Sequence, residues 1–502
     1  MIKILREVKK EELIDFMYNI DINDSKLYDE VRDKNSIGIF QISGKTATEV
    51  KEQVKPKNFA ELNAISALAR PGTIDFVDEY VRSKNGEFKK YPEIIDNLLI
   101  DSSGIVLFQE QLMSIFNKIG GFSLEETNYV RGLMKKLGKA DKKPEDLKSW
   151  SKVVKRFIKN SEKNNLKKTD AEFIADDLMK MSSYSFNKSH SSSYTYISIM
   201  TLYLSVYFRK YFYSSILDYE VDRDKYLLEA IHSIKNHGYE IIPPDINGSG
   251  SNIVPGKNNK ILFGLMNIKY VGEKAVEVIL ANKPYNSVID FILKTRDRSV
   301  TSRVIVSLIS VGSFDKMYLN RKKLIVMFER FWKEKKSVKI HEKLKALWEK
   351  INEETNRIPG LSTTITDLRN YEKEYFGMCL FTSLFTKDRI DAFKAMKKQN
   401  LIHLNFEDVT LYSMKTPVCL NYIRAFKDKN QNEMAFVDIE DINGNVLSVP
   451  VFASYWKHVR EHFIPNSVYL MNLYKDDNGK TLFGQRAWTR SEFTILRMIK
   501  KL

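Results

Sequence analysis

Cysteine is almost missing from this chain: Cys379 and Cys419 are the only two among 502 residues. A disulfide framework and a cysteine zinc site are therefore excluded, and a reducing, cytoplasmic compartment is expected. No apolar run approaches the ~18 residues that a membrane span needs. The best candidate, Tyr194 to Tyr213, is broken by Ser, Thr, Arg and Lys and reads as an amphipathic or core helix. The opening Met-Ile-Lys-Ile-Leu-Arg lacks the apolar stretch of a signal peptide. A Gly-x-x-x-x-Gly-Lys-Ser/Thr loop is absent too, which argues against an ATPase. Acidic residues fall short of basic ones, 64 against 80, leaving a net charge of +16 and a pI near 9.3. That imbalance calls for an anionic partner, nucleic acid before a membrane.

With 43% hydrophobic residues the chain can bury several cores. The first 260 residues read mostly as helix, as in Asp170 to Met181 and Ser191 to Tyr213, with breaks at Arg70-Pro71-Gly72 and Gly120-Gly121. Pro243-Pro244-Asp245 closes that block. Lys260 to Lys323 follows as short helices joined by glycine hairpins, then a charged helical stretch from Phe328 to Asn356. From about Asn405 the period changes. Short β-rich runs at Val418–Leu420, Met434–Val437, Val446–Val449 and Val468–Met471 are separated by turn residues, which predicts a small barrel. The expected fold is mainly α and multidomain, ending in an OB-type β-barrel.

Charge concentrates between residues 131 and 170, where 14 Lys and Arg face 5 Asp and Glu, a local excess of 14 − 5 = +9. Such a stretch is either a solvated helical face or a groove for phosphates, whose neutralisation releases counterions. Charge alone does not separate nucleic acid from a nucleoside triphosphate.

Seven short segments occur in a fixed order: Gly38-Ile39-Phe40-Gln41, Ala69-Arg70-Pro71-Gly72, Phe108 to Met113, Tyr129-Val130-Arg131, Tyr184 to His190, Pro243 to Asn247 and Gly264 to Lys269. In this order and spacing the chain resembles the α subunit of bacterial DNA polymerase III, the C-family replicative polymerases, from just after the palm through the OB-fold. The resemblance spans roughly residues 20 to 490. It implies a lead-in at the palm edge over 1–35, fingers over 36–215, a connector over 216–260, tandem helix-hairpin-helix over 261–330, a helical linker over 331–400, an OB-fold over 401–490 and a tail over 491–502.

The residues themselves support phosphate chemistry. Asn187, Lys188, Ser189 and His190 offer an amide, an ammonium, a hydroxyl and an imidazole at a helix start, where free N–H groups favour anions. Read alone, the segment is an N-cap with Ser189 or Ser191 as the cap. The resemblance makes it the fingers element that contacts the incoming deoxynucleoside triphosphate, with Arg131 facing the same ligand. Gly132 stands where the family often has a second arginine. Gln109, Glu110 and Gln111 follow an apolar run and are expected either to read template or, the favoured reading, to bond the fingers scaffold.

Primer–template DNA is the second expected ligand. Candidates are Arg70, Lys135, Lys136 and Lys139 in the fingers, Lys269, Gly272 and Lys274 in a first hairpin, and Gly312 in a second. Hairpin glycines let a backbone approach DNA, and amides at the next helix start bind a phosphate without reading sequence. On the barrel, Tyr422, Arg424, Phe426, Phe436 and Trp456 are candidates for a single-stranded template path.

Two-metal nucleotidyl transfer needs carboxylates that hold both ions. In the resembled polymerase these belong to the palm, upstream of the matching segments. Asp222-Arg223-Asp224, Asp21 to Asp24, and Asp438, Glu440 and Asp441 all read as surface, capping or turn residues. No metal is expected on this chain, and Mg²⁺ is expected at the palm of a partner chain. The expectation is a split polymerase, with residues 1 to 45 and the helices around Tyr184 to Tyr213 meeting the palm chain. A sliding clamp would be a further partner, although the glutamine-led hydrophobic peptide by which the family binds it is not evident between residues 331 and 400. A non-catalytic DNA-binding or replisome-interaction protein derived from the polymerase is the alternative.

Overall fold

The computed structural model describes residues 18–32, 37–70, 72–137, 143–182, 185–220, 224–335, 340–477, 479–484 and 499–501. The chain divides into two compact units, Met1–Tyr213 and Ser214–Leu502.

The described part of the first unit is helical, and its local signals are conventional. Asn58 caps the helix Phe59–Leu68 by accepting the Glu61 N–H at 2.9 Å, and the Glu61 carboxylate accepts the Lys57 N–H at 2.8 Å. Pro144 opens the helix Pro144–Ser161, where its missing N–H costs nothing. One core joins that helix to Gln109–Lys118, Leu124–Leu137 and Lys168–Ser182 through Leu112, Phe116, Leu133, Met134, Phe157 and Leu178. Phe116 centres it, edge-on to Phe122 at 5.6 Å and 5.1 Å from Phe157.

A 20-residue helix, Lys188–Tyr207, packs on Ser25–Arg32 and on Phe59–Leu68. Its sequence is unusually rich in serine and threonine for a buried helix, and the hydroxyls find partners. Ser191 and Thr195 donate to the Asn63 Oδ1 at 2.5 and 3.1 Å, and Ser66 and Ser191 hydroxyls lie 2.8 Å apart. Ser198 donates to the Phe40 carbonyl at 2.8 Å, and the Phe40 N–H donates to Thr201 at 3.2 Å. Small hydroxyl residues thus let neighbouring backbones approach while leaving few buried polar atoms unpaired. The expected helix over 191–213 is two elements, because it ends at Tyr207 and a second helix runs Arg209–Glu220.

In the second unit the helix Asp224–Asn236 leads into a three-stranded sheet, β1 (Glu240–Ile242), β2 (Val254–Pro255) and β3 (Lys260–Leu262), ordered β1-β3-β2 with β1 parallel to β3. Short helices follow at Glu273–Ala281, Val288–Lys294, Ser302–Ser310 and Arg321–Glu334. Ser287, Thr301 and Asn320 cap the last three, each accepting a backbone N–H three residues on.

The β-rich runs fall in β4 (Met414–Lys427), β5 (Glu433–Glu440), β6 (Val446–Val451) and β7 (Ser467–Lys475), joined by β8 (Thr481–Phe483) and β9 (Ile499–Lys501). The order is β6-β5-β4-β7-β8, every neighbouring pair antiparallel, with β9 added on β7. β4 is the spine: Met414 to Leu420 pair with β7 and Cys419 to Lys427 with β5, across an irregularity between Leu420 and Tyr422. β6 and β8 approach each other, so the five-stranded path nearly closes, consistent with an OB-fold. Inward Ala435, Val437 and Ile439 alternate with half-buried Phe436, Asp438 and Glu440.

Preceding helices are fastened to this barrel by a buried charge. Arg369, fully buried on Ile365–Phe376, donates to the Thr382 carbonyl at 2.7 Å and the Asn421 amide oxygen at 2.6 Å, and pairs with Glu440 at 3.3 Å. Its guanidinium is thereby hydrogen-bonded in several directions at once, which is what a buried charge requires.

Candidate nucleotide and nucleic-acid interface

The Asn187 to His190 segment is placed by a single point of β-like pairing. Phe108 and Phe186 form a parallel bridge, with the Phe186 N–H donating to the Leu107 carbonyl and the Gln109 N–H to the Phe186 carbonyl, both at 2.9 Å. Asn187 then caps the long helix by accepting the His190 N–H at 2.8 Å. The cap is therefore Asn187 rather than Ser189 or Ser191, because its amide oxygen meets the donor three residues on. Ser189 and His190 are exposed, Ser191 is buried in the hydroxyl network, and Lys188 is half-buried.

One dipeptide organises the two cations. Gln109 accepts from the Arg131 Nη1 at 2.9 Å and donates its own Nε2 to the Ser185 carbonyl at 3.2 Å. Glu110 accepts the Lys188 backbone N–H at 2.8 Å. Asn128 takes the other edge of the Arg131 guanidinium, at 3.2 Å from Nε and 2.8 Å from Nη2. Arg131 is thus oriented by three hydrogen bonds to neutral amides, and no carboxylate pairs with it among the described residues. A cation held this way keeps its full charge for an incoming anion. The Lys188 ammonium instead rests on Asp101, 2.5 Å away, in an exposed pair that is cheaply exchanged. Gln111 is scaffold: buried, it accepts the Leu107 and Phe108 N–H groups at 3.0 Å each.

Beside these groups lies a pocket of about 360 Å³ lined by Gln41, Ser66, Arg70, Phe186, His190 and Tyr194 among others. Along it runs a row of ring contacts, some stacked and some edge-on. The Arg70 guanidinium sits 3.3 Å above the Phe186 ring, His190 follows at 5.5 Å from Phe186, Tyr194 at 4.3 Å from His190, and Phe40 stacks on Tyr194 at 5.6 Å. Partial burial lowers the Arg70 pKa from its ordinary value, while the group stays a cation. Phe186, His190 and Tyr194 lie four apart, so helical spacing signalled part of this row. Phe40 and Arg70 reach it only through tertiary contacts.

Lys135 and Lys136 are exposed near the end of Leu124–Leu137. Lys139 lies outside the described residues.

In the second unit the two hairpin glycines differ. Lys269, Tyr270, Gly272 and Lys274 are all exposed ahead of and within the start of Glu273–Ala281. Gly272 has φ −83° and ψ 166°, and a Cβ there would meet nothing within 4 Å. Gly312 is buried at φ +86°, and a Cβ would fall 2.2 Å from the Arg321 Nη2. Arg321 cannot easily yield, since it pairs with Asp315 at 2.7 Å and donates to the Ser310 carbonyl at 3.0 Å. Gly312 therefore shapes the fold, whereas Gly272 leaves an open backbone surface. Sequence inspection missed Arg303, whose guanidinium lies 3.5 Å over the Tyr270 ring beside that surface. The two are 33 residues apart, and nothing in the local sequence links them.

On the barrel, Tyr422, Arg424 and Phe426 are exposed at alternate positions of β4, and Phe426 stacks on Phe436 at 5.4 Å with planes 10° apart. Arg424 pairs with Asp438 at 3.0 Å. Trp456 is a correction: it lies in the barrel core, because it faces inward from the helix Ala453–Val459 and packs on Phe463.

The carboxylates considered as metal ligands have structural partners. Asp21 and Asp24 accept the Asn23 and Lys26 N–H groups at 2.9 and 3.0 Å. Asp441, fully buried, accepts from the Asn443, Asn445 and Phe406 N–H groups at 2.9, 2.9 and 3.1 Å. Asp222 and Arg223 lie outside the described residues. His458 and His462 stand four apart, yet among the described residues no group of three His, Cys, Asp or Glu could hold a metal ion. No helix among them is long and apolar enough to cross a membrane. Of the surface expected to meet a palm, residues 1–17, 33–36 and Tyr184 lie outside the described set, and Tyr18 and Tyr207 are exposed.

Residues 1–171 match the family described as bacterial DNA polymerase III alpha subunit finger domain, and residues 238–324 match a helix-hairpin-helix motif. The chain is similar to the DNA polymerase III subunit alpha of Aquifex aeolicus, 29% identical over 96% of this chain and 40% of the relative. That of Campylobacter jejuni is 32% identical over 64% of this chain and 27% of the relative, and that of Borreliella burgdorferi 27% identical over 90% and 40%. The chain thus spans about two fifths of the length of the Aquifex and Borreliella relatives and about a quarter of the Campylobacter one.

Proposed function

Because this chain is a DNA polymerase III alpha-like protein, with finger and helix-hairpin-helix domains ahead of an OB-type barrel, we propose that it supplies the incoming-nucleotide contacts and the primer–template grip of template-directed DNA synthesis in replication. The observation that carries the reading is the bracket formed by Gln109 and Glu110, which holds Arg131 and the Lys188 helix start together. In this reading Arg131 binds triphosphate oxygens and steadies charge that develops on them. Lys188 exchanges Asp101 for a phosphate oxygen, Asn187, Ser189 and His190 border the ligand, and Arg70 lines the adjoining pocket.

Fingers are assigned to 36–215, the duplex-gripping hairpins to 261–330, with Lys269, Gly272, Lys274 and Arg303 at their surface, and the single-strand path to Tyr422, Arg424, Phe426 and Phe436 on the barrel of 401–490. Among the described residues no group of His, Cys, Asp or Glu side chains fits Mg²⁺. The carboxylates that bind it are assigned to a palm that these residues do not include.

The test is primer extension with this protein alone and after adding a palm-bearing chain, with Mg²⁺ and four deoxynucleotides. Extension only in the mixture, lost with Arg131→Ala or Lys188→Ala, supports the reading. Extension that tolerates both substitutions overturns the nucleotide site. Salt-sensitive DNA binding without extension in either condition favours a non-catalytic DNA-binding protein.

A further inference from the structure

The helix Pro144–Ser161 carries a second basic feature that the nucleotide site does not use. Its inner side is apolar: Val153 and Phe157 are buried, and Trp150, Val154 and Ile158 pack against the same core. Lys148, Lys152, Lys155 and Lys159 are all exposed. At 100° per residue these four fall within one narrow sector, opposite the buried one. None of them makes an ion pair among the described residues, while Arg156, off the stripe, is paired with Glu126 at 2.5 Å.

A solvated face does not need this arrangement. Lys148 and Lys152, Lys152 and Lys155, and Lys155 and Lys159 are like-charge neighbours at i+3 or i+4, which weakens a helix where alternating signs would strengthen it. Glu145 and Glu162 stand only at the ends of the row. The stripe therefore keeps an unfavourable repulsion that a row of anions would relieve. It is one lysine wide and, at about 1.5 Å per residue, about 16 Å long. Charges on one duplex strand recur about every 3.4 Å along the helix axis and farther apart along the strand itself, so a few phosphates pass along that length.

We infer that Lys148, Lys152, Lys155 and Lys159 form a track for the phosphodiester backbone of one DNA strand, outside the nucleotide site. The track rests on the DNA-binding reading above and extends it to a surface that contacts backbone alone. No exposed aromatic lies in the stripe to stack a base, so it holds a strand without reading it.

The test compares the full chain with a variant in which all four lysines become glutamine, and with one in which all four become arginine. Binding to a primer–template with a 5′ single-stranded overhang and to a blunt duplex is measured from 50 to 200 mM salt. Each lost phosphate contact lowers the salt slope by about 0.7 on a single strand. Four contacts make the glutamine variant less salt-sensitive by a slope of about 3, so that the unaltered protein loses roughly 50-fold more affinity over that range. The arginine variant retains the original slope. Loss confined to the overhang substrate assigns the track to single-stranded template, and equal loss on both assigns it to duplex. Unaltered slopes in the glutamine variant overturn the track and leave the DNA-binding reading standing. Failure of the unaltered protein to bind either DNA overturns both. A circular-dichroism melt of the glutamine variant checks that the helix persists.

Discussion

The two hairpin glycines give a sharp test, since the same substitution should break function at one and folding at the other. At Gly272 an alanine meets nothing within 4 Å and adopts an ordinary extended backbone. Replacing Gly at a compatible site stabilises by about 0.4–1 kcal/mol through the unfolded chain. Losing a glycine N-cap costs about as much. Folding should therefore change by less than about 1 kcal/mol. If a DNA phosphate sits against the open amides, a methyl group keeps it away. A hydrogen bond to a charged acceptor is worth about 1.5–3 kcal/mol, so affinity for duplex should fall at least about tenfold. The salt slope should not change, because the amides are neutral. Lys274→Gln provides the contrast, lowering the slope by about 0.9. At Gly312 an alanine must hold φ +86° and displace Arg321 from Asp315 and Ser310. The left-handed backbone alone costs about 1–2 kcal/mol, and the displaced guanidinium brings the total to about 3 kcal/mol. Urea denaturation and fluorescence anisotropy on a labelled duplex measure both effects. A Gly272→Ala protein that binds duplex normally, or a Gly312→Ala protein as stable as the parent, refutes the reasoning.

Further outcomes follow from other contacts. Gln109→Leu removes the 2.9 Å bond that aims Arg131; in the reconstituted mixture KM for deoxynucleotides should rise about tenfold, the size expected for one charge-assisted hydrogen bond, with DNA affinity unchanged. Trp456→Ala empties a place in the barrel core and should cost about 3–5 kcal/mol of stability by urea titration. Tyr422→Ala, on the exposed face, should leave stability alone and weaken single-strand binding by about 1–3 kcal/mol. Burial first, and then Arg296, lowers the Lys335 pKa to about 8. The unfolded chain binds that proton up to about pH 10.4. Stability carried by this group should therefore rise with pH between those values, and Lys335→Met should remove that part of the rise. A pH series of urea midpoints identical in parent and variant would count against it.

Much of the outline was legible because it rests on local chemistry. The β-rich runs Met434–Val437 and Val446–Val449, with Asn443-Gly444 between them, specify strands and a turn whatever they pack on. The series from Gly38 to Lys269 carried the family resemblance in order and spacing. The cap at Asn187 was misjudged by two to four residues, since Asn, Ser189 and Ser191 have similar intrinsic preferences and only the geometry of the His190 N–H selects among them. Trp456 was read as surface because an aromatic near a strand end has no periodicity to reveal its side.

What the sequence determined by itself is the charge, the helix-to-barrel order and the residue types available at each motif. The tertiary structure decided which of them meet. Gln109 and Arg131 are 22 residues apart, Glu110 and Lys188 are 78 apart, and Arg70 reaches Phe186 across more than a hundred. Each contact is made by side chains whose elements are brought together by apolar cores elsewhere. Burial of Phe116 and Phe157, or of Leu62 and Ile199, sets those positions, and hydrogen bonds then select among the polar groups placed within reach. Gly272 and Gly312 illustrate the same division: identical residues in similar hairpins, separated in role by where Arg321 lies.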